Sequence, residues 1–134
     1  MKSTGSPAID LWHSVFADRN LDILGDLIAD DCTFHSPVVH TPQEGKDITI
    51  FYLSAAAQVL LESKFEYVRE VIGEHDAMLE FTAEIDGVHL NGIDMIHWNA
   101  DDRIDDFKVM VRPLKAVNLL HRMMGAMLEQ MKSA

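Results

Sequence analysis

The chain has 134 residues, of which 48% are hydrophobic and 25% are charged, and its formal net charge at pH 7 is -11. This length suits one domain with a buried core, and the acidic balance argues against nucleic acids and anionic membranes as partners, because both require a basic surface. The single cysteine, Cys32, excludes an internal disulfide and a cysteine metal cluster.

The N-terminus carries no signal that directs the chain elsewhere. Residues 1–10 lack the apolar stretch of a signal peptide, and no apolar run approaches the length of a membrane span. We therefore expect a cytoplasmic protein that forms a single domain over residues 1–134.

Three helices are predicted in the N-terminal half. The first begins at Ser6-Pro7, an N-cap followed by proline at the first helical position, and Ile9, Trp12, Val15 and Phe16 recur at helical spacing. A second helix follows Asn20, carries apolar residues through Ile28 and ends at Asp30-Asp31. After a short strand at 32–35 and a loop at 38–45, Asp47 caps a third helix that runs to about residue 62.

From residue 65 onward the apolar period changes to two, which is typical of strands. Residues 65–71 and 77–85 form two predicted strands, and Asp86-Gly87 is a strong hairpin turn. Residues 90–113 then read as a second hairpin with a polar tip at 99–102. Pro113 begins a final helix.

Asp94 is the unusual residue of this second hairpin. It lies between Ile93 and Met95 and shares its face with Ile96 and Trp98. A carboxylate on such a face is buried, lines a pocket, or belongs to a solvated face, and the first two cases need a partner or a raised pKa. Asp94 is therefore either a pocket acid or a structural carboxylate paired with Arg103, Lys108 or a tyrosine.

Because helices and strands are segregated, the fold class is α+β. We expect a cone-shaped, strongly curved antiparallel sheet wrapped over the three N-terminal helices, with an extra C-terminal helix at 114–131. The inner face of such a cone is a natural place for a small molecule.

Two strings give this order a resemblance to a known superfamily. ADDCTFHSPVVHTPQEGKDITIFY and GIDMIHWNADDRIDDFKV resemble segments of the nuclear transport factor 2-like superfamily, in its SnoaL-like and ketosteroid-isomerase-like branch. The similarity covers a core of residues 7–113 and implies the cystatin-like α+β roll of that superfamily.

The resemblance also implies roles for individual residues. Asp94 falls where the isomerases keep a protonated Asp that donates to the substrate oxyanion, and Tyr52 where they keep a supporting Tyr. Trp12 falls where they have the oxyanion-hole Tyr, and Ser36 replaces their Asp general base. Since serine is no base at neutral pH without help, His35 or His40 would have to supply this function. The resemblance therefore does not imply steroid isomerisation by the same mechanism.

The candidate catalytic residues are therefore Asp94, Tyr52, His35 and His40. The candidate ligand-binding residues share an inward or pocket-facing position, and they are Trp12, Phe16, Phe34, Ser36, Leu79, Phe81, Ala83, Phe107, Val109 and Val111.

Alternative roles remain open for the two histidines and for the methionines of the final helix. His35 and His40 could form a metal site with Asp94, but two histidines five apart in a loop are a weak pattern, so we expect no metal. Strand alternation instead turns His35 outward and leaves His40 at the pocket mouth. The methionines of the final helix form either an adaptable lid or, as we prefer, a packing stripe.

The resulting hypothesis is a cofactor-free isomerase, cyclase or dehydratase that acts on a small hydrophobic carbonyl compound. The alternative is a non-catalytic module of the same fold that binds a ligand or dimerises. A third, epoxide hydrolysis, requires an Asp-Arg-Asp set that the sequence does not clearly show. The resemblance also implies a homodimer through the outer sheet face, where Glu80, Thr82, Glu84, Lys108 and Met110 alternate outward.

Overall fold

Helices and strands are segregated in the computed structural model, which describes residues 4–61 and 63–133. The element order is α1 (Pro7–Ala17), α2 (Ile23–Leu27), β1 (Ile28–His35), β2 (Gln43–Glu44), α3 (Lys46–Leu61), β3 (Glu66–Ile72), β4 (Asp76–Ile85), β5 (Val88–Trp98), β6 (Ile104–Arg112) and α4 (Leu114–Ser133). This order confirms the predicted α+β class. Glu62, where the third helix was expected to end, lies outside the described residues.

The six strands form one curved, unclosed sheet with the order β2-β1-β6-β5-β4-β3. The β3–β4, β4–β5 and β5–β6 pairs are antiparallel, and so is β1–β2. The β1–β6 pair is parallel, which the prediction of an antiparallel sheet did not include. A parallel neighbour requires a long crossover, and here the segment from β2 through α3 to β5 supplies it.

The end of the second helix was predicted wrongly. The helix stops at Leu27, and Ile28 already begins β1, where it pairs with Ile104 of β6. Asp30 and Asp31, read as a helix end, are exposed residues at an irregularity of this strand. The predicted loop at 38–45 also contains a short strand, β2, because Gln43 and Glu44 pair with β1.

Local chemistry explains the ends of the other elements. The Ser6 hydroxyl accepts a hydrogen bond from the Ile9 backbone N–H and caps α1, and Pro7 follows it. Asp86 and Gly87 have φ angles of 50° and 77°, so they form the tight turn that their sequence predicts between β4 and β5. These two features determine where α1 begins and where the chain turns from β4 into β5.

The core lies between the concave face of the sheet and the helices. One cluster joins α1, α2 and the sheet around Trp12, Ile96 and Phe107, and a second lies under α4 around Phe81 and Leu120. The space between the clusters is the cavity described below. Within the described part of the chain, no helix is long and apolar enough to cross a membrane.

Candidate active site

A cavity of about 180 Å³ opens between the sheet, α1, α3, α4 and the loop at residues 36–39. Its walls are almost entirely apolar. Among the exposed lining residues are Val39 in the loop and His121 and Gly125 on α4, so the mouth of the cavity lies between these two segments. The lining residues that the sequence predicted are Trp12, Phe16, Phe34, Ser36, Tyr52, Phe81, Asp94, Phe107, Val109 and Val111.

Asp94 reaches the cavity because residues of β5 alternate between the two faces of the sheet. Residues 90, 92, 94, 96 and 98 are all buried, and Asp94 itself is 6% exposed. Gly92, two residues earlier, leaves room for the Phe81 ring, because a Cβ at that position would collide with the ring. The carboxyl group therefore lies on a face that is apolar on both sides of it.

Tyr67 of β3 holds this carboxyl group. Its hydroxyl donates to Asp94 Oδ2 at 2.6 Å and accepts a hydrogen bond from the Trp12 indole Nε1 at 2.8 Å. Trp12 is itself fixed by edge contacts with Phe16 and Phe107, at centroid distances of 5.0 and 4.9 Å. An indole on α1, a phenol on β3 and a carboxyl on β5 thus form one hydrogen-bonded chain.

The other carboxyl oxygen of Asp94 is left to the cavity. Oδ1 makes no hydrogen bond with any described residue. No buried side-chain oxygen or nitrogen of the described chain is both sealed from solvent and unpaired, so Oδ1 retains open surface. Since Asp94 lines the cavity, this surface faces the space that a ligand would fill.

Burial dominates the electrostatics of this chain of groups. Desolvation raises the pKa of Asp94 from 3.8 to about 7, and the hydrogen bond from Tyr67 partly opposes this rise. The pKa of Tyr67 is raised as well, first by burial and then by the negative charge of Asp94. Asp94 therefore has both its neutral and its charged form within reach near neutral pH, whereas Tyr67 remains a hydrogen-bond donor.

The supporting hydroxyl that was predicted at Tyr52 is that of Tyr67. Tyr52 does line the cavity, but it lies on α3 and stacks on Phe34 at 5.5 Å. The indole N–H of Trp12 is also engaged with Tyr67, so Trp12 presents a wall to the cavity and not the free donor that the resemblance allowed. Tyr67 was not among the predicted site residues, because residues 65–71 were predicted only as a strand.

The two predicted histidine bases do not join Asp94. Phe34 and Ser36 line the cavity, so alternation turns His35 to the other face of β1, where its Nε2 lies 2.9 Å from Asp106 Oδ1. His40 is exposed in the loop and is not part of the lining. The described residues also contain no cluster of three or more His, Cys, Asp or Glu side chains suited to a metal ion.

Two predicted wall residues lie outside the lining as well. Leu79 is fully buried in the first core cluster, and Ala83 belongs to the second. Both face inward, as alternation predicts, but Leu79 is covered by other core side chains. The short Ala83 side chain packs among the residues beneath α4.

The C-terminal helix forms one wall of the cavity, although its apolar residues were predicted mainly to pack against the rest of the fold. Leu120, Met124 and Leu128 line the cavity at a spacing of four residues, and His121 and Gly125 line it beside them. The same apolar stripe was read as packing, although a lid was considered. The stripe both lines the cavity and packs against the fold, because Leu119 and Leu120 are also buried in the second core cluster.

Comparison with known proteins shows which family the chain resembles. A model of the SnoaL-like domain matches residues 9–107. Among curated proteins, none matches the chain.

Solved structures resemble the chain over most of its length. A steroid delta-isomerase from Pseudomonas aeruginosa is 34% identical with a TM-score of 0.89, over 95% of this chain and 93% of that one. An uncharacterized protein with a cystatin-like fold from Silicibacter pomeroyi is 30% identical with a TM-score of 0.83, over 91% and 85%. A putative isomerase of the SnoaL-like family from Agrobacterium tumefaciens shares the fold at 16% identity, with a TM-score of 0.61 over 79% and 95%.

Proposed function

Because this chain belongs to the SnoaL-like domain family, we propose that it is a cofactor-free isomerase of small, apolar carbonyl compounds. The observation that carries this proposal is a single carboxyl group, Asp94, in an otherwise apolar cavity, with one oxygen held by Tyr67 and the other open to the ligand space. The similarity to a steroid delta-isomerase supports the same class of reaction.

The proposed role of Asp94 is to donate a hydrogen bond in its neutral form. Tyr67 occupies Oδ2, so a proton on Oδ1 points to the cavity and to the carbonyl oxygen of a ligand. When a proton leaves the carbon next to that carbonyl, negative charge develops on the oxygen and the hydrogen bond strengthens. A carboxylic acid kept neutral by burial is suited to this task.

The volume of the cavity limits the part of the ligand that it encloses. At about 180 Å³ it is somewhat larger than an engineered apolar cavity of about 150 Å³ that admits benzene. We therefore propose substrates of one or two rings. A four-ring steroid would extend through the mouth between residues 36–39 and α4.

A second candidate function is ligand binding without turnover. It is favoured by Ser36, which lines the cavity at the position that resembles the general base of the isomerases. Epoxide hydrolysis has less support, because the described lining holds one carboxylate, that of Asp94, and no arginine.

A small unsaturated ketone tests the proposal. The substrate is cyclohex-3-en-1-one, whose isomerisation to the conjugated ketone is followed by ultraviolet absorbance. We expect the chain to accelerate the reaction over buffer. Asp94→Leu, which fills a similar space without a hydrogen-bond donor, should lose on the order of 100-fold or more, the usual effect of removing an oxyanion donor. Asp101→Leu, the same change at an exposed turn, should leave the rate unchanged.

Phenol, which imitates the enolate and does not react, separates the two functions. Saturable phenol binding without any turnover by the unmodified chain would favour the binding module. Equal rates for the unmodified chain and Asp94→Leu would refute the role of Asp94.

We also propose that two copies of the chain associate through the outer sheet face. Val71, Met78 and Met110 on this face are 62%, 38% and 52% exposed, and a second copy would cover them. Arg69, which pairs with Glu80 there, adds charges of both signs. Light scattering at micromolar concentration should give twice the chain mass of 15.1 kDa, and a particle of 15.1 kDa would contradict the dimer.

A further inference from the structure

We propose that His121, on the C-terminal helix, is the base that moves the substrate proton; this inference rests on the proposed isomerase function. Asp94 can hold a carbonyl oxygen, but isomerisation also needs a group that takes a proton from carbon and returns it. Ser36 lacks that capacity, and the structure turns His35 away from the cavity and leaves His40 outside its lining. The base must therefore come from another element.

His121 lies in the wall of the same cavity as Asp94. The titratable side chains of the described lining are Tyr52, Asp94 and His121. Of these three types, histidine is the one that ordinarily exchanges protons as a base near neutral pH. Asp94 on the sheet and His121 on the helix border the cavity from different sides, so a ligand between them would meet both groups.

The imidazole of His121 is not committed to another part of the fold. His13, His35 and His97 are each held by a carboxylate, at 2.7, 2.9 and 2.5 Å. His121 makes no hydrogen bond or ion pair with any described residue. Its ring nitrogens are therefore free for a substrate.

His121 also lies at the mouth, where it is exposed to solvent. At this position a ring nitrogen of His121 can exchange a proton with water between turnovers. Its helix begins after the last residue that the SnoaL-like domain model matches, residue 107. The base would thus be supplied by a segment outside the matched core.

The step balances without a cofactor. The neutral His121 imidazole takes a proton from the carbon between the carbonyl and the double bond, and the pair of that C–H bond forms a new C=C bond. The carbonyl π electrons move to the oxygen, which Asp94 stabilises by its hydrogen bond. The imidazolium then returns the proton to the far carbon of the original double bond, whose π pair forms the new C–H bond. The pair of the C=C bond formed in the first step moves one position to give the conjugated C=C bond, and the C=O bond re-forms. The product has the same atoms as the substrate, and both side chains return to their starting states.

His121→Gln tests the inference, because glutamine keeps a polar side chain but cannot act as this base. The matched control is His89→Gln, an exposed histidine on β5 that is not part of the cavity lining. We expect His121→Gln to lose on the order of 100-fold or more of the cyclohex-3-en-1-one rate, the typical effect of a general base. Its affinity for phenol should change less than threefold, and the control should match the unmodified chain in both measurements.

Two further measurements separate a base from a packing residue. In His121→Ala, added imidazole should enter at the exposed mouth and restore part of the rate. In the unmodified chain, the NMR resonance of the His121 ring Cε1–H should shift as phenol saturates the cavity.

The two proposals fail in different ways. If Asp94→Leu loses the reaction while His121→Gln retains it within threefold, His121 is not the base and the isomerase proposal stands. A His121 resonance that does not move at phenol saturation, or His121→Ala that imidazole does not restore, also overturns its role. If the unmodified chain shows no turnover at all, the isomerase proposal and the base proposal both fall.

Discussion

Replacing Asp94 by asparagine should stabilise the fold at neutral pH. The folded-state pKa of Asp94 is raised to about 7 by burial, whereas its usual value is 3.8. The stability contributed by this group is therefore fully present below pH 3.8, is lost as pH rises to about 7, and stays lost above that. Asparagine keeps the shape and can still accept the hydrogen bond from Tyr67, but it does not ionise.

The size of the effect follows from the two pKa values of Asp94. They lie about three pH units apart, and each unit corresponds to about 1.4 kcal/mol, so the charged form costs the fold roughly 4 kcal/mol. Asp94→Asn should recover most of this at pH 7 and almost nothing at pH 4. For a domain of this size the gain corresponds to a rise in Tm of roughly 10 °C.

Thermal and urea unfolding of Asp94→Asn and of its parent, at pH values from 4 to 8, provide the assay. Asp101→Asn is the surface control and should show no pH-dependent gain. An Asp94→Asn variant that is less stable than its parent at pH 7 would refute the reasoning. So would a difference that stays constant from pH 4 to pH 8, because the effect would then not arise from the titration of Asp94.

Three further substitutions probe the surroundings of Asp94. Tyr67→Phe removes the hydrogen bond that lowers the pKa of Asp94, so the pH range of stability loss should extend upward, and leaving the indole N–H unpaired should cost about 1–3 kcal/mol in urea unfolding. Gly92→Ala should destabilise by about 1–3 kcal/mol in the same assay, because its Cβ would lie 2.8 Å from the Met110 carbonyl oxygen. Gly125→Ala should stabilise α4 by up to about 1 kcal/mol, since nothing lies within 4 Å of the new methyl group. Because that methyl group narrows the mouth of the cavity, calorimetric titration of the same variant should show no gain in phenol affinity.

Each of these predictions has a contrary outcome. An unchanged pH profile for Tyr67→Phe would mean that its hydroxyl does not set the pKa of Asp94. Full stability of Gly92→Ala would show that the Phe81 ring and the backbone of β6 can move aside. Gly25→Ala in α2, where the new methyl group also meets open space, is the control for Gly125→Ala and should leave phenol binding unchanged. Tighter phenol binding by Gly125→Ala would contradict the narrowing of the mouth.

Patterns of local origin were readable from the residues alone. The Ser6-Pro7 start of α1 and the Asp86-Gly87 turn follow from capping and from positive φ, which depend on a few neighbouring residues. Alternation in β5 placed Asp94 on the same face as Ile96 and Trp98, because neighbouring side chains of a strand point to opposite sides, and the structure shows that this face is buried. Because burying a carboxylate is costly, a buried Asp94 was predicted to need a partner or a raised pKa.

The boundary between α2 and β1 shows where local patterns stop being sufficient. Leu24, Leu27 and Ile28 fit one helical stripe equally well. Ile28 is instead the first residue of a strand because it pairs with Ile104, which lies 76 positions later in the chain. Pairing energy from so distant a partner outweighs local helix propensity, and no short stretch of sequence contains that information.

The sequence by itself therefore determined the α+β class, the curved sheet and the strand face that Asp94 shares with Ile96 and Trp98. Tertiary structure decided that this face is the buried one that borders the cavity. Only the tertiary structure decided which tyrosine holds Asp94, because Tyr52 and Tyr67 both lie on elements that can face the cavity. It also decided which histidine shares that cavity: alternation of β1 turns His35 away, whereas the course of α4 brings His121 into the wall. Contacts between elements distant in sequence depend on how sheet and helices pack together, and local spacing does not encode that packing.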